Sequence, residues 1–356
     1  MKLRENVPIS TMTTMRLGGA ARFVLEVETL EDIPAAYSFA SERNLPVWIM
    51  GSGANTISCD EGFEGVVILN KLKGLSVKTP NGLVDVRKMG NDDFGDEIIL
   101  HGMGGEIWDD VVEFSCEHGY TGIEALSKIP GTLGAAPVQN IGAYGQDVAQ
   151  VLERVEAFDT ATQKFVTIEK ADMGLGYRRS RFNYGSEIGR YFIFSVTLRL
   201  KKGQLLQPFY NSLQRYIDEH GETDFSPKNI RKMVSAIRSD KLPDPEEVAS
   251  AGSFFKNVYV DKAGADEAEA KGIPVWRSKD GRGKINSGWL IEACGLKGKE
   301  LHGFRISEKA ALVLINESAK SYEDLTRART EISDAVFEKF GYHLEQEPVE
   351  IQEMNK

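Results

Sequence analysis

Apolar and polar positions alternate along Ala21–Val27 as they do in a strand with one buried face. After it, Thr29 with Asp32 three residues on reads as a capping pair for a helix over Leu30–Arg43. Val47–Met50 and Val66–Leu69 are short apolar runs of buried-strand type. Helical periodicity returns over Ile107–His118, stopped by Gly119, and strands are predicted near Val151–Asp159, Lys164–Ile168 and Arg190–Leu200. A helix is predicted over Tyr210–His220, and the prolines of Arg238–Pro245 forbid a helix continuing through them. Further on come a short helix stopped by Gly295, a buried strand over Ala311–Asn316, and a long helix capped by Ser321 and Asp324. The apolar stripe of that helix is Leu325, Ile332, Val336, Phe337 and Phe340, and it ends at Gly341. Tyr342–Ile351 reads as a last strand that sets Glu345 and Glu347 on one face and Gln346 on the other. The charged insert Arg87–Glu97 reads as a surface loop, and no repeat of fixed period is present.

A chain of 356 residues exceeds one core and predicts two or three domains. The net charge of −10 argues against nonspecific nucleic-acid or anionic-membrane binding. Anionic ligands therefore need cations gathered locally; Lys228, Arg231, Lys232, Arg238 and Lys241 form one such group, or else a solvated helix face. Cys59, Cys116 and Cys294 are odd in number and far apart, and the five histidines lack H-x-x-x-H spacing, so neither a disulfide frame nor a metal site is expected. No secretory leader or membrane-length apolar run is read, and a cytoplasmic protein without membrane insertion is expected.

Three stretches carry candidate chemistry. Gly51-Ser52-Gly53-Ala54-Asn55-Thr56 begins like a dinucleotide fingerprint but has Thr at its sixth position, and no amphipathic helix follows. Any phosphate would meet a bare loop of N–H groups. Gly122–Asp147 is crowded with Gly, Ala and Pro and nearly free of charge, so its backbone must lie against something: a large flat or phosphorylated ligand, or a second backbone crossing tightly. Gly176–Phe182 packs three arginines between two aromatics, which composition alone assigns to a solvated loop.

Four segments in order, T-T-M-R-L-G-G at Thr13–Gly19, I-P-G-T-L-G-A-A-P-V-Q-N-I-G-A-Y-G at Ile129–Gly145, Y-R-R-S-R-F at Tyr177–Phe182 and G-S-F-F-K-N at Gly252–Asn257, resemble the UDP-N-acetylenolpyruvoylglucosamine reductases, in the longer of their two types. R-S-D-K-L-P-D-P at Arg238–Pro245 is similar to the family pattern as well. Two positions depart from it: Ala54 where Ser is usual and Val258 where Pro is commoner. The resemblance implies an α+β protein with a two-subdomain FAD-binding fold of the vanillyl-alcohol-oxidase/PCMH type and a C-terminal α+β substrate-binding domain. The implied boundaries are 1–72 with 342–356, 73–236 and 237–341.

It further implies a cytoplasmic enzyme of peptidoglycan precursor synthesis, serving cell shape and division; the oligomeric state is left open, with a monomer as the default. Its reaction is reduction of UDP-N-acetylglucosamine enolpyruvate by non-covalent FAD, with NADPH as co-substrate. Carried over by position, the catalytic residues are Arg178, Ser253 and Glu347. FAD contacts fall on Gly51, Ser52, Gly53, Ala54, Asn55, Thr56, Ile129, Pro130, Gly131, Gly134, Ala135, Val138 and Gly142. Substrate contacts fall on Tyr144, Tyr177, Tyr210, Lys241 and Asn257. Read without the resemblance, Ser253 is a half-buried strand serine and Glu347 a solvated acidic strand end. The competing readings are another FAD-dependent oxidoreductase on the same fold and a non-catalytic nucleotide-sugar binder.

Overall fold

The computed structural model describes residues 1–80, 82–88 and 94–351. Its first sheet has the order Lys2–Pro8, Ala20–Val27, Phe63–Asn70, Val47–Met50. The first pair is antiparallel and the other two pairings are parallel, because the chain crosses over through the Asp32–Ser41 helix. Period-two alternation sorts its side chains cleanly. Leu25, Val27, Val66 and Ile68 meet the helix residues Ile33, Ala36, Tyr37 and Ala40, whereas Val24, Trp48, Met50 and Val67 pack on the other face with Ile351. The helix begins later than the Leu30 start read from the sequence. Thr29 does not cap through its hydroxyl; the Asp32 carboxylate accepts the Glu28 and Thr29 amides at 3.0 and 3.1 Å.

The second sheet is antiparallel, in the order Lys164–Glu169, Leu152–Asp159, Tyr191–Lys202, Glu97–Met103, Leu75–Thr79, Gly82–Asp85. One face packs on the Trp108–Glu117 helix, while Phe158 and Phe192 reach the core under the first sheet, where Tyr37 stacks on Phe158 at 5.4 Å. A hairpin of helices, Asn211–His220 and Pro227–Lys241, has a small core of its own and is held to the Trp108–Glu117 helix by Arg231, whose guanidinium donates to both Asp109 oxygens at 2.6 and 3.0 Å. Lys228 likewise pairs with Glu117. Two of the five grouped cations are thereby spent on helix packing.

The C-terminal part holds a four-stranded sheet (Ser250–Ser253, Val313–Asn316, Phe304–Ile306, Glu300–Leu301), a three-stranded one (Val258–Val260, Gly283–Ile285, Val275–Arg277) and the Tyr322–Phe340 helix. Ser321 and Asp324 form the expected capping box, and Gly341 ends the helix in the left-handed conformation. Leu325, Ile332 and Val336 are buried, but Phe337 is 45 % exposed and stacks on His343 instead of joining the core. Met15, Leu17 and Ile57 enter this core from the N-terminal part of the chain.

Tyr342–Ile351 is extended but not one strand. It makes a single bridge between Gln346 and Phe255, then a two-residue parallel pairing of Val349–Glu350 with Thr56–Ile57, because its intervening polar groups are taken by side chains. The core of the charged insert, residues 89–93, lies outside the described residues; Val86–Lys88 is a 3-10 turn and Glu97 already begins a strand. Among the described residues no helix is long and apolar enough to cross a membrane, and no group of three metal-ligating side chains occurs.

Candidate active site

A cleft of about 1170 Å³ opens between the two sheets and the C-terminal part. Ordinary small-molecule sites span roughly 300–1,000 Å³, so it has room for a dinucleotide and part of a second ligand.

One wall is the loop Gly51–Thr56 that leaves the Val47–Met50 strand. The amides of Ser52, Gly53, Ala54 and Asn55 have no hydrogen-bond partner among the described residues, which leaves a row of donors of the kind that holds a pyrophosphate. The loop is threaded so tightly that side chains are excluded. A Cβ on Gly53 (φ +71) meets the Met12 carbonyl oxygen at 2.0 Å, and one on Gly51 meets Thr132 Oγ1 at 2.5 Å. Thr14 ties the loop down from behind, its amide donating to the Gly53 carbonyl and its hydroxyl to that of Ala54, both at 3.3 Å. Free amides, glycines at backbone contact and a cleft of this volume fit FAD.

Beside it runs the glycine-rich stretch, with Ile129, Pro130, Gly131, Gly134, Ala135 and Val138 on the wall and Gln139 accepting from Asn55 Nδ2 at 2.9 Å. Both readings of this stretch hold. It faces the cleft, and it also crosses a second backbone, since a Cβ on Gly134 lies 3.0 Å from Gly104 Cα and the Gly134 amide donates to the Gly104 carbonyl at 2.9 Å. Gly142 is not on the wall; its carbonyl accepts from Arg178 Nη2 at 3.2 Å.

Arg178 and Glu347 meet in this cleft, with Nε donating to Oε1 at 2.7 Å across 169 positions of sequence. Arg178 has a left-handed backbone (φ +51), a conformation that costs a non-glycine residue about 1–3 kcal/mol and persists where the surroundings enforce it. Glu347 is anchored through its main chain. Its amide donates to the Phe254 carbonyl at 2.9 Å, and its carbonyl accepts from Gln139 Nε2 at 3.2 Å and Asn55 Nδ2 at 3.4 Å. Burial pushes the Glu347 carboxyl above the usual carboxylate range, against the pull of Arg178 and Lys256. Glu345, two residues earlier, turns instead to Lys256, and Gln346 turns away to Arg329.

Ser253 ends its strand directly before Phe254 and follows Gly252 (φ +73). It is not among the residues lining the cleft, and its hydroxyl has no partner among the described residues. Tyr177 and Asn257 are on the wall, where the Asn257 amide donates to the Tyr177 hydroxyl at 3.1 Å and Tyr177 packs on Tyr259 at 4.6 Å. Tyr144, Tyr210 and Lys241 lie beyond the wall. Tyr210 leads into the Asn211–His220 helix and packs edge-on to Tyr144 at 5.8 Å; Lys241 ends the neighbouring helix.

Sequence reasoning passed over Lys256, Lys284, Gln139 and Tyr259. Lys284 sits between Gly283 and Ile285, both buried, and lines the cleft together with Gly283, its Nζ 4.9 Å from the Trp276 ring centroid and 5.8 Å from that of Tyr210. Burial, with Arg178 nearby, lowers its pKa. The signal was a lone lysine flanked by buried positions in a three-residue strand, which is too short for alternation to be read. Arg178, Lys256 and Lys284 give this acidic protein the local cations an anionic ligand needs.

A cleft walled by free amides and glycines, with cations gathered about one buried carboxyl, defines an FAD-binding oxidoreductase, and residues 21–169 match the FAD binding domain family. Residues 244–351 match the C-terminal domain of UDP-N-acetylenolpyruvoylglucosamine reductase. Proteins of that name from Ralstonia nicotianae and Bdellovibrio bacteriovorus are 35 % and 34 % identical, each alignment covering 98 % of this chain and 99 % of the relative. The chain belongs to the UDP-N-acetylenolpyruvoylglucosamine reductase family. The crystal structure of the reductase from Thermus caldophilus shares the fold, with a TM-score of 0.64 and 23 % identity over 98 % of this chain and 99 % of that one.

Proposed function

We propose that the protein reduces the enolpyruvyl group of UDP-N-acetylglucosamine enolpyruvate to the lactyl ether of UDP-N-acetylmuramate, a step of peptidoglycan precursor synthesis. FAD bound in the cleft without a covalent link would supply the hydride, with NADPH as the co-substrate that reduces it. The observation that carries the assignment of residues is the Arg178–Glu347 pair, drawn from distant parts of the chain into one cation-lined cleft.

Hydride addition at the methylene carbon leaves negative charge on the neighbouring carbon, spread into the carboxylate as an enolate. Arg178 meets that charge with a planar fork of donors, one of which already engages Glu347. Burial holds the Glu347 carboxyl above the usual range, and in its protonated form it donates a further hydrogen bond. Donors preorganised for charge that develops in the transition state commonly supply the largest share of catalysis. Ser253 is given the proton that completes the product by its place in G-S-F-F-K-N; it does not line the cleft, but it directly precedes Phe254, whose carbonyl holds the Glu347 amide. Lys241, Tyr210, Tyr144, Tyr177 and Asn257 bind the nucleotide diphosphate, and Gly51–Thr56 with Ile129–Gly142 hold FAD. Lys241, Tyr210 and Tyr144 lie off the wall, but the Tyr210 ring comes within 5.8 Å of Lys284 Nζ, which is on it.

Three units are inferred, 1–72 with 342–356, 73–236 and 237–341, each centred on its own sheet, with cores that interlock through Phe158, Phe192, Met15, Leu17 and Ile57. A cytoplasmic location is inferred as well, because nucleotide sugars and NADPH are intracellular pools; its product then serves cell shape and division. The test is the visible spectrum of the purified protein under anaerobic conditions. NADPH bleaches the flavin bands and the enolpyruvyl sugar restores them, and denaturation releases the colour from the chain. A flavin that stays reduced after sugar addition refutes the substrate assignment.

A further inference from the structure

Arg178 sits at the third position of a tight turn. The Arg179 amide donates to the Gly176 carbonyl at 3.2 Å, and the Gly176 amide donates back to the Arg179 carbonyl at 2.9 Å. That position, with φ +51, is one that turns normally give to Gly or Asn. An arginine will not stay there unless its neighbours hold the peptide.

Asn183 does so with both ends of its amide. Its Nδ2 donates to the Arg178 carbonyl at 3.1 Å, and its Oδ1 accepts the Ser180 amide at 2.8 Å. The base of the loop is fixed separately. Ser180 Oγ donates to the Val138 carbonyl at 2.6 Å, Asn140 Nδ2 donates to the Gly176 carbonyl at 3.0 Å, and Phe182 is buried in the core. Asn183 is therefore the one side chain among the described residues that bonds to the Arg178 main chain itself, while Gly142 and Glu347 receive the guanidinium.

We propose that Asn183 is a positioning residue, which locks the peptide of Arg178 in its left-handed turn and so aims the guanidinium at Glu347 and the substrate carboxylate. The inference rests on the catalytic role given to Arg178 above. Without the bond, the peptide turns toward an ordinary conformation and carries the guanidinium off its line. The barrier suffers because the charge stabiliser is misplaced by an ångström or so.

The experiment uses FAD-loaded enzyme reduced anaerobically with NADPH, then mixed with the enolpyruvyl sugar while flavin reoxidation is followed. Asn183→Asp retains acceptance from Ser180 and loses the donation; Asn183→Ala loses both. Each is expected to slow reoxidation by about ten- to a hundredfold, with flavin content unchanged and kcat falling more than KM rises. On an Arg178→Lys background the same changes are expected to cost less than about threefold, since two members of one device are not additive. Wild-type reoxidation by Asn183→Asp, equal losses on both backgrounds, or loss of flavin or folding in both variants overturns the proposal. Wild-type reoxidation by Arg178→Lys alone instead overturns the role given to Arg178, a separate result.

Discussion

Gly53→Ala is the sharpest test of the loop proposed to hold the FAD pyrophosphate. The new methyl carbon meets the Met12 carbonyl oxygen at 2.0 Å and the Thr13 Cα at 3.0 Å. Both are main chain, so no rotamer change relieves the clash and the loop itself must withdraw by roughly 1 Å. The left-handed backbone at φ +71 adds about 1–2 kcal/mol for any L-residue. A displacement of that size takes at least two of the four free amides out of hydrogen-bonding range. At about 1.5–3 kcal/mol for each bond to a charged oxygen, the loss is about 3–6 kcal/mol. Since about 1.4 kcal/mol is tenfold, Kd for FAD should rise by about 10²–10⁴-fold. The assay is titration of apoprotein with FAD, read by quenching of flavin fluorescence, with the apoprotein melting curve as a check on folding. Gly51→Ala is the contrast, because its Cβ collides at 2.5 Å with the Thr132 hydroxyl, and Thr132→Ala should restore binding. A folded Gly53→Ala protein that binds FAD within threefold of wild type refutes the reasoning.

Ser253→Ala is expected to keep flavin and its reduction by NADPH while losing about 10²–10⁴-fold in reoxidation by the sugar, measured by stopped flow; near-wild-type reoxidation sinks the assignment. Lys241→Ala should raise KM for the sugar by about 10–150-fold, the equivalent of a charged hydrogen bond of about 1.5–3 kcal/mol, with a smaller change in kcat; steady-state kinetics decides, and the reverse pattern places Lys241 at the chemistry. Burial raises the Glu347 pKa, so the proton is held below that value and lost as pH rises through it. The rate of reoxidation should fall along an alkaline limb that Glu347→Gln abolishes at a lower plateau, and an unchanged limb in the variant removes Glu347 from the pH profile. The sign for stability is the same: the folded state holds this proton more tightly than the unfolded chain. Its contribution is therefore complete below the ordinary glutamate pKa and vanishes above the raised one.

The elements that were legible in the chain are those whose signals are local. Ser321 and Asp324 announce the last helix because a capping box needs only four residues, and Gly119 and Gly341 mark helix ends because only their backbones turn left-handed at little cost. The alternation that put Glu345 and Glu347 together and Gln346 apart matches the partners found, Lys256 and Arg178 against Arg329. The surrounding segment was less legible. Tyr342–Ile351 has the pattern of a strand, yet the Glu347 carbonyl answers to Gln139 and Asn55, side chains contributed from more than two hundred positions away. Phe337 fits the helical stripe but falls where the core has already ended. Lys284 and Gln139 carry no mark of their position, since what selects them is the approach of other elements. The glycine-rich stretch was legible as a backbone that must lie against something; that it lies against both a cleft and the Gly104 main chain is a property of packing.

Asn55 and Glu347 are joined through a main-chain carbonyl although 292 positions separate them. At a ribosomal pace of about 5–20 residues per second, the nucleotide loop waits roughly 15–60 s for the acid that completes the site. A nascent chain arrested before that residue can present the loop to a flavin but has no carboxyl to set against Arg178. Competence for turnover arrives late in synthesis, well after the parts that recognise the cofactor.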